Sequence, residues 1–218
     1  MWLRIGERRL RPAKIVCVAR NFAAHARESG NEVPADPVFF LKPTTALIPS
    51  GGTILLPPES ARVEEECELA VILGKGGRDV PRERAMGLVL GYAVFLDITA
   101  RDLQAKARAE GLPWTAAKGF DTFAPISKVT PAKKVGDPHS LAIRLEVNGE
   151  PAQVGNTRDM VHNVPDLLAA ASRIMTLERG DILATGTPAG VREIRDGDAL
   201  VGKIERVGRL QARVARKV

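Results

Sequence analysis

The sequence predicts a β-rich α+β fold that contains only a few short helices. Short apolar or alternating runs of strand length recur along the chain, whereas helical patterns are fewer. The pair Asn148-Gly149 follows one such run and is typical of a tight hairpin turn. The predicted strands cover residues 14–18, 38–41, 68–73, 88–96, 141–147, 181–185 and 210–214.

Capping patterns predict four short helices. Pro81 is tolerated in a first helical turn, Asn163 is a preferred N-cap residue, and Gly30 is typical just past a helix end. The segment Thr99-Ala100-Arg101-Asp102 resembles a capping box at the start of a helix. The predicted helices cover residues 20–29, 81–86, 99–109 and 163–175.

The chain of 218 residues is long enough for one domain with a substantial core. Residues 1–50 contain more loops, and we expect them to form a small N-terminal section beside a β-rich body over residues 51–218. Hydrophobic residues make up 44% and charged residues 27% of the chain, which is typical of a soluble globular protein. Because no long apolar run and no secretory signal pattern occur, we expect no membrane partner and a cytoplasmic location.

The net charge of +6 makes nucleic-acid binding an alternative function. The basic residues are scattered, however, and one tyrosine and two tryptophans offer few surfaces for base stacking. An anionic substrate also explains part of the positive charge. We therefore predict no nucleic-acid partner, and a basic nucleic-acid-binding β protein remains the alternative from another functional class.

An acidic run over residues 64–68 leads directly into a predicted buried strand. On a strand, residues two apart point to the same side, so Glu66 and Glu68 would project together at the edge of the core. Two carboxylates so placed repel each other unless a cation or a proton lies between them. The pattern is consistent with a hard divalent cation such as Mg²⁺, and equally with a solvated charge run.

Asp97 follows an entirely apolar run, residues 88–96, and lies at the end of a predicted buried strand. A carboxylate there is well placed for a site, although a turn or N-cap aspartate is the alternative. Arg101, Gln104 and Lys118 follow within about twenty residues. Together they would supply cations and a hydrogen-bond donor for an anionic ligand.

His25 and Glu28 are three residues apart, so on a helix they share one face. A carboxylate beside an imidazole fixes its tautomer and raises its basicity, which is the arrangement of a general base. A plain surface contact is the alternative. Further along, Thr187 lies in a glycine-containing loop after a predicted strand, where backbone N–H groups and hydroxyls could bind a carboxylate or simply form a turn.

Six segments carry a resemblance to a known family. In order, they are Ala19-Arg20-Asn21-Phe22-Ala23-Ala24-His25, Phe40-Leu41-Lys42-Pro43, Glu66-Cys67-Glu68-Leu69-Ala70-Val71-Ile72-Leu73-Gly74-Lys75, Asp97-Ile98-Thr99-Ala100-Arg101-Asp102, Gly111-Leu112-Pro113-Trp114-Thr115-Ala116-Ala117-Lys118 and Gly180-Asp181-Ile182-Leu183-Ala184-Thr185-Gly186-Thr187-Pro188. Their joint order and spacing over residues 14–214 resembles the fumarylacetoacetate hydrolase family, most closely its short members of the acylpyruvate hydrolase and oxaloacetate decarboxylase type.

The resemblance implies a mixed β-sandwich roll, a homodimer and a catalytic domain over residues 51–218. It implies Mg²⁺ or Mn²⁺ held by Glu66, Glu68 and Asp97. The positions that match the family's substrate pocket are Arg101, Gln104, Lys118 and Thr187, and the dyad of His25 and Glu28 matches a mobile lid carried by residues 1–50. Arg20, with Lys42 and Phe22, is expected to shape the distal end of the substrate.

The implied function is metal-dependent cleavage of a carbon–carbon bond in a small 2-oxo acid through a metal-stabilised enolate. For an acylpyruvate or fumarylpyruvate, His25 assisted by Glu28 would activate a water, with Lys118 and Gln104 near the reacting atoms. For oxaloacetate, loss of CO₂ would form the same enolate without an attacking water. Isomerase or tautomerase chemistry on unsaturated oxo-diacids in aromatic catabolism is the alternative.

Overall fold

The computed structural model describes residues 1–217. Its strands are β1 (Leu3–Ile5), β2 (Arg8–Leu10), β3 (Ile15–Ala19), β4 (Val38–Lys42), β5 (Leu47–Pro49), β6 (Thr53–Leu56), β7 (Val63–Glu64), β8 (Cys67–Leu73), β9 (Val89–Leu96), β10 (Thr99–Ala100), β11 (Ala124–Ile126), β12 (Thr130–Pro131), β13 (Ala142–Val147), β14 (Glu150–Asn156), β15 (Ile182–Ala184), β16 (Ala199–Ile204) and β17 (Gly208–Arg216). Its α-helices are α1 (Ala23–Glu28), α2 (Arg82–Ala85), α3 (Arg101–Ala109), α4 (Thr115–Lys118), α5 (Ala132–Val135) and α6 (Val164–Ile174). Short 3₁₀ turns cover Thr44–Ala46, Met86–Leu88 and Thr157–Asp159.

Two sheets form the body of the protein. The larger has eight strands in the order β4-β3-β15-β8-β9-β11-β5, with β12 paired to β9, and mixes parallel and antiparallel neighbours. The smaller has five strands in the order β14-β13-β16-β17-β6. The predicted β-rich α+β fold is therefore confirmed.

The two sheets pack closely against each other. A Cβ atom added at Gly202 of β16 would lie 3.1 Å from Val94 of β9 and 3.2 Å from the Sγ atom of Cys67 in β8. Side chains from both sheets form one large buried cluster. Strand β8 is buried along its whole length, which explains why residues 69–73 form a continuous apolar run rather than an alternating one.

All seven predicted strands are present, and their ends agree with the prediction to within two residues. Strand β13 alternates between exposed and buried residues, as its sequence predicts. Asn148 and Gly149 both have positive φ, of 53° and 86°, and join β13 to β14 as the predicted hairpin. Strands such as β6, β7, β14 and β16 are present in addition to those that the sequence predicts.

Two predicted helices begin later than expected. Arg20 has a φ of 56° and Phe22 pairs with Met160, so α1 begins only at Ala23. The capping box at residues 99–102 is wrong: Thr99 pairs with Glu64 in a short ladder, and α3 has no side-chain cap. The N-cap predicted at Asn163 is confirmed, since its side chain accepts a hydrogen bond from the N–H of Asp166 (3.2 Å).

Residues on both sides of position 50 share the larger sheet. Strands β3 and β4 lie before that boundary, and β3 is hydrogen bonded to β15, which in turn pairs with β8. The division into residues 1–50 and 51–218 stays a prediction. Among the described residues, no helix is both long enough and apolar enough to cross a membrane.

Candidate active site

Three buried carboxylates meet at one end of the β8–β9 pair. Glu66 directly precedes β8, Glu68 lies within it, and Asp97 directly follows β9. The register pairs Cys67 with Leu96, and the N–H of Asp97 donates to the carbonyl of Glu66 (2.8 Å). One oxygen from each of the three carboxylates lies within 4.8 Å of the others. The structure therefore brings the predicted metal triad together.

Three cations hold two of these carboxylates. The Nζ atom of Lys118 lies 2.9 Å from Glu66 Oε2 and 2.7 Å from Asp97 Oδ2. Lys42 Nζ lies 2.7 Å from Asp97 Oδ1 and also donates to the carbonyl of Ile98 (3.0 Å). Arg101 donates to Glu66 Oε1 through Nη2. Every oxygen of Glu66 and Asp97 thus accepts from a cation and keeps a second lone pair for a further ligand.

Glu66 and Glu68 differ in their electrostatic surroundings. Burial acts to raise the pKa of Glu66, but Lys118 and Arg101 outweigh it and hold this pKa well below its usual range. Burial, together with repulsion from Asp97 and Glu66, raises the pKa of Glu68 well above its usual range. Glu68 accepts one hydrogen bond, from the N–H of Gly186 (2.8 Å), and no described lysine, arginine or histidine lies in salt-bridge range of it.

The donor set fits a hard divalent cation. It consists only of carboxylate oxygens, which suit Mg²⁺ or Mn²⁺. A cation beside Glu68 would offset the repulsion that now favours its protonated form. Glu66, Glu68 and Asp97 are therefore the residues that could hold such an ion.

Gln153 of β14 ties the triad to the loop after β15. Its side chain accepts from the N–H of Cys67 (2.8 Å) and donates to Thr187 Oγ1 (2.8 Å) and to the carbonyl of Pro188 (2.7 Å). The hydroxyl of Thr187 donates in turn to the carbonyl of Cys67 (2.9 Å). Cys67 separates Glu66 from Glu68, so this network fixes the backbone that orients both carboxylates.

Asn21 fixes the same loop from the other side. Its amide donates to the carbonyls of Thr185 (2.8 Å) and His162 (2.9 Å). Gly186 has a φ of 92°, and a Cβ atom there would lie 2.9 Å from the Cβ of Asn21. Only glycine permits this backbone conformation and close approach, which aim the N–H of Gly186 at Glu68.

The predicted dyad forms on helix α1. His25 Nδ1 lies 3.3 Å from Glu28 Oε2, and His25 is buried while Glu28 is exposed. The Glu28 carboxylate also accepts from the N–H of Gly190 (3.0 Å and 3.2 Å to its two oxygens). The loop after β15 therefore holds Glu28, and Glu28 in turn orients the imidazole of His25.

A cavity of about 130 Å³ lies beside the triad, and Glu66 and Glu68 line it whereas Asp97 does not. One wall is aromatic: the rings of Phe40 and Trp114 meet edge to face with centroids 5.6 Å apart, and Lys118 Nζ lies 4.9 Å from the centroid of Phe40. The polar residues that line it are Arg20, His25, Ser29, Asn31, Glu66, Glu68, Arg101, Gln104, Arg108, Lys118 and Thr187.

Most of the predicted pocket residues meet in this cavity, but two expectations are wrong. Lys42 and Phe22 are not among its lining residues. Lys42 lies buried against Asp97, and Phe22 packs in the main core. Arg101 contacts three side chains of the protein, those of Glu64, Glu66 and Gln104.

The sequence did not predict the contacts of four residues around the site: Lys42, which was expected at the distal end of the substrate and instead contacts Asp97, Glu64 against Arg101, Gln153 and Asn21. All four are buried polar or charged side chains. The sequence contains a signal for two of them. Lys42 is a charged residue at the end of an apolar strand, and Glu64 belongs to the acidic run.

Residues 14–215 match the protein-family model of the fumarylacetoacetate hydrolase C-terminal domain. The chain belongs to the fumarylacetoacetate hydrolase family. It is 51% identical to a mitochondrial oxaloacetate tautomerase of Arabidopsis thaliana, over 94% of this chain and 92% of that protein. It is 47% identical to a mitochondrial oxaloacetate decarboxylase of Dictyostelium discoideum, over 86% of each chain.

A solved structure of the family is similar over nearly its whole length. It is the fumarylpyruvate hydrolase of Pseudomonas aeruginosa in complex with Mn²⁺ and pyruvate, with a TM-score of 0.94 and 39% identity. The similarity covers 100% of this chain and 96% of that one. These three relatives are named as enzymes of oxaloacetate or of fumarylpyruvate.

Proposed function

We propose that this protein is a Mg²⁺- or Mn²⁺-dependent enzyme that cleaves a carbon–carbon bond in a small 2-oxo acid. The observation that carries the proposal is the buried triad of Glu66, Glu68 and Asp97, of which Glu66 and Glu68 line a cavity that His25 also lines. The Mn²⁺ and pyruvate in the structurally similar hydrolase support a divalent ion and a pyruvate-like product.

The triad would hold the metal through its carboxylate oxygens. When bound, the ion would supply Lewis-acid chemistry at the 2-oxo group of the substrate. The ammonium group of Lys118 lies beside Glu66 and Asp97. From there it would help to stabilise the negative charge that develops on the 2-oxo oxygen of the substrate. Gln104 and Thr187 line the same cavity and would orient the substrate.

His25 would act as the general base, with Glu28 as its orienting carboxylate. For an acylpyruvate or fumarylpyruvate, the imidazole would take a proton from a water that attacks the distal carbonyl carbon. The bond between this carbon and C3 then breaks, which releases a carboxylic acid and the enolate of pyruvate. Glu28 keeps the imidazole oriented for this step because the N–H of Gly190 fixes its position.

Oxaloacetate is the second substrate class. Its decarboxylation would need the triad and Lys118 but no attacking water, so His25 would matter less. Tautomerisation of oxaloacetate is the alternative activity, and the 51% identity to a named oxaloacetate tautomerase favours it. In that reaction His25 would move a proton at C3. The expected homodimer and cytoplasmic location stay predictions.

A substrate panel tests the proposal. The protein, treated with EDTA and reloaded with Mg²⁺ or Mn²⁺, is assayed with acetylpyruvate, fumarylpyruvate, and the keto and enol forms of oxaloacetate. We expect metal-dependent pyruvate release from at least one of these. Interconversion of the oxaloacetate forms without pyruvate release would make tautomerisation the function, and a lack of any metal-dependent reaction would reject the proposal.

A further inference from the structure

Two arginines line the cavity without contacting a carboxylate of the described residues. Within residues 1–217, Arg20 donates only to the backbone carbonyl of Glu32 (3.4 Å) through Nη1, and its buried Nε has no hydrogen-bond partner. Arg108 donates to the side-chain oxygen of Asn31 (2.5 Å). Both acceptors are uncharged, and they belong to consecutive residues after α1, so the two guanidinium groups are held by the same short segment.

The inner cations of the cavity are in a different situation. Lys118 contacts Glu66 and Asp97, and Arg101 contacts Glu64 and Glu66. Each of them contacts acidic side chains, whereas no acidic side chain within residues 1–217 is in salt-bridge contact with Arg20 or Arg108. The cavity therefore carries uncompensated positive charge on the part of its wall that does not touch the triad.

The conformation of Arg20 also indicates a fixed role. Its φ of 56° lies in the left-handed region, which few residues other than glycine adopt. A buried N–H without a partner costs free energy, and a carboxylate accepts from a guanidinium through two parallel hydrogen bonds. A ligand carboxylate at this position would satisfy the free Nε of Arg20 and balance the charge of both arginines.

We propose that Arg20 and Arg108 bind the distal carboxylate of the substrate, so that the site selects dicarboxylic 2-oxo acids over monocarboxylic ones. The inference rests on the proposed function, because that function assigns the other end of the substrate to the triad and Lys118. Arg20 is half-buried, and its buried Nε provides the inner contact. Arg108 is exposed and lines the same cavity, where its hydrogen bond to Asn31 holds it in place to provide the outer contact.

Two ligands that cannot be cleaved test the selection directly. 2-Oxoglutarate and 2-oxopentanoate share the 2-oxo acid end and five carbons, and only the former has a distal carboxylate. Calorimetry with the Mn²⁺-loaded protein should give a lower Kd for 2-oxoglutarate. Arg20→Gln should raise that Kd at least about tenfold, and Arg108→Gln about threefold, with less than about a twofold change for 2-oxopentanoate.

Lys106→Gln is the matched control, because Lys106 lies exposed on the same helix as Arg108 and does not line the cavity. It should leave both Kd values unchanged. If Arg20→Gln does not fold, as judged by its thermal melt, Arg108→Gln carries the test.

Equal affinities of the wild type for both ligands, or equal losses in the arginine variants, would overturn the inference. Either outcome would leave the proposed function intact, provided that metal-dependent turnover is observed. Selective binding of 2-oxoglutarate without any turnover would support the inference and reject the proposed reaction.

Discussion

The N–H of Asp97 donates a hydrogen bond to the carbonyl of Glu66 (2.8 Å), one residue beyond the β8–β9 ladder. This bond extends the pairing of the two strands and places two carboxylates side by side where both strands end. Because Glu68 lies two residues from Glu66, it joins them from the same side of β8. The geometry of the site therefore follows from the register of one antiparallel strand pair.

Glu68→Gln should weaken Mn²⁺ binding at least about 100-fold, because the amide keeps the size of the side chain but removes a charged metal ligand. The measurement is a Mn²⁺ titration followed by electron paramagnetic resonance. Glu83→Gln is the control, since Glu83 is exposed on α2. Unchanged affinity in the Glu68 variant would show that the ion binds elsewhere.

His25→Asn should lower hydrolysis of acylpyruvates by about 10²–10⁴-fold, the range of general-base catalysis, and lower oxaloacetate decarboxylation much less. Glu28→Gln should have a smaller effect in the same direction, because it removes the charge that orients the imidazole. Both reactions are measured as kcat in the same Mg²⁺ buffer. Equal losses in the two reactions would contradict the role given to the dyad.

Gln153→Leu should lower the free energy of unfolding by about 1–3 kcal/mol, because it leaves the buried N–H of Cys67 without a partner. It should also weaken Mn²⁺ binding, since the backbone between Glu66 and Glu68 loses its support. Denaturant unfolding and the same metal titration provide the two measurements. Gln211→Leu, at an exposed position of β17, should change neither.

The buried carboxyl group of Glu65 should make the free energy of unfolding depend on pH. Burial raises its pKa to about 9, with repulsion from Glu66 adding to this, although the N–H of Arg192 donates to its Oε1. Since the folded state keeps a proton that the unfolded state loses above its ordinary pKa, stability falls as pH rises between about 5 and 9. The slope for one proton is about 1.4 kcal/mol per pH unit.

The variant Glu65→Gln removes this titration and should flatten the decline, so it should be more stable than the wild type near pH 8. Urea unfolding at several pH values, in EDTA so that no metal contributes, measures the slope. An identical slope in the variant would assign the pH dependence to another group.

Residue patterns that are local in sequence predicted much of the fold and of the site. The apolar run before Asp97 located the end of β9, the two-residue spacing aligned Glu66 with Glu68, and the three-residue spacing paired His25 with Glu28. Each of these relationships depends on the period of one strand or helix, which the sequence contains directly.

The supporting residues could not be predicted, because their partners are distant in the chain. Lys42 and Asp97 are 55 residues apart, and Gln153 and Cys67 are 86 apart. Their contacts depend on sheet order and on the packing of one sheet against the other, which no local pattern encodes. The capping box failed for a related reason: the pairing of Thr99 with Glu64 competes with the helix start.

The most direct test of the central claim is a stoichiometric metal titration of activity. Protein freed of metal with EDTA is titrated with Mn²⁺ while pyruvate release from fumarylpyruvate or oxaloacetate is followed. We predict no activity without metal and a linear rise that ends at one ion per chain, with no recovery in Glu68→Gln at the same Mn²⁺ concentrations. Full activity without metal, or full recovery in that variant, would contradict the account.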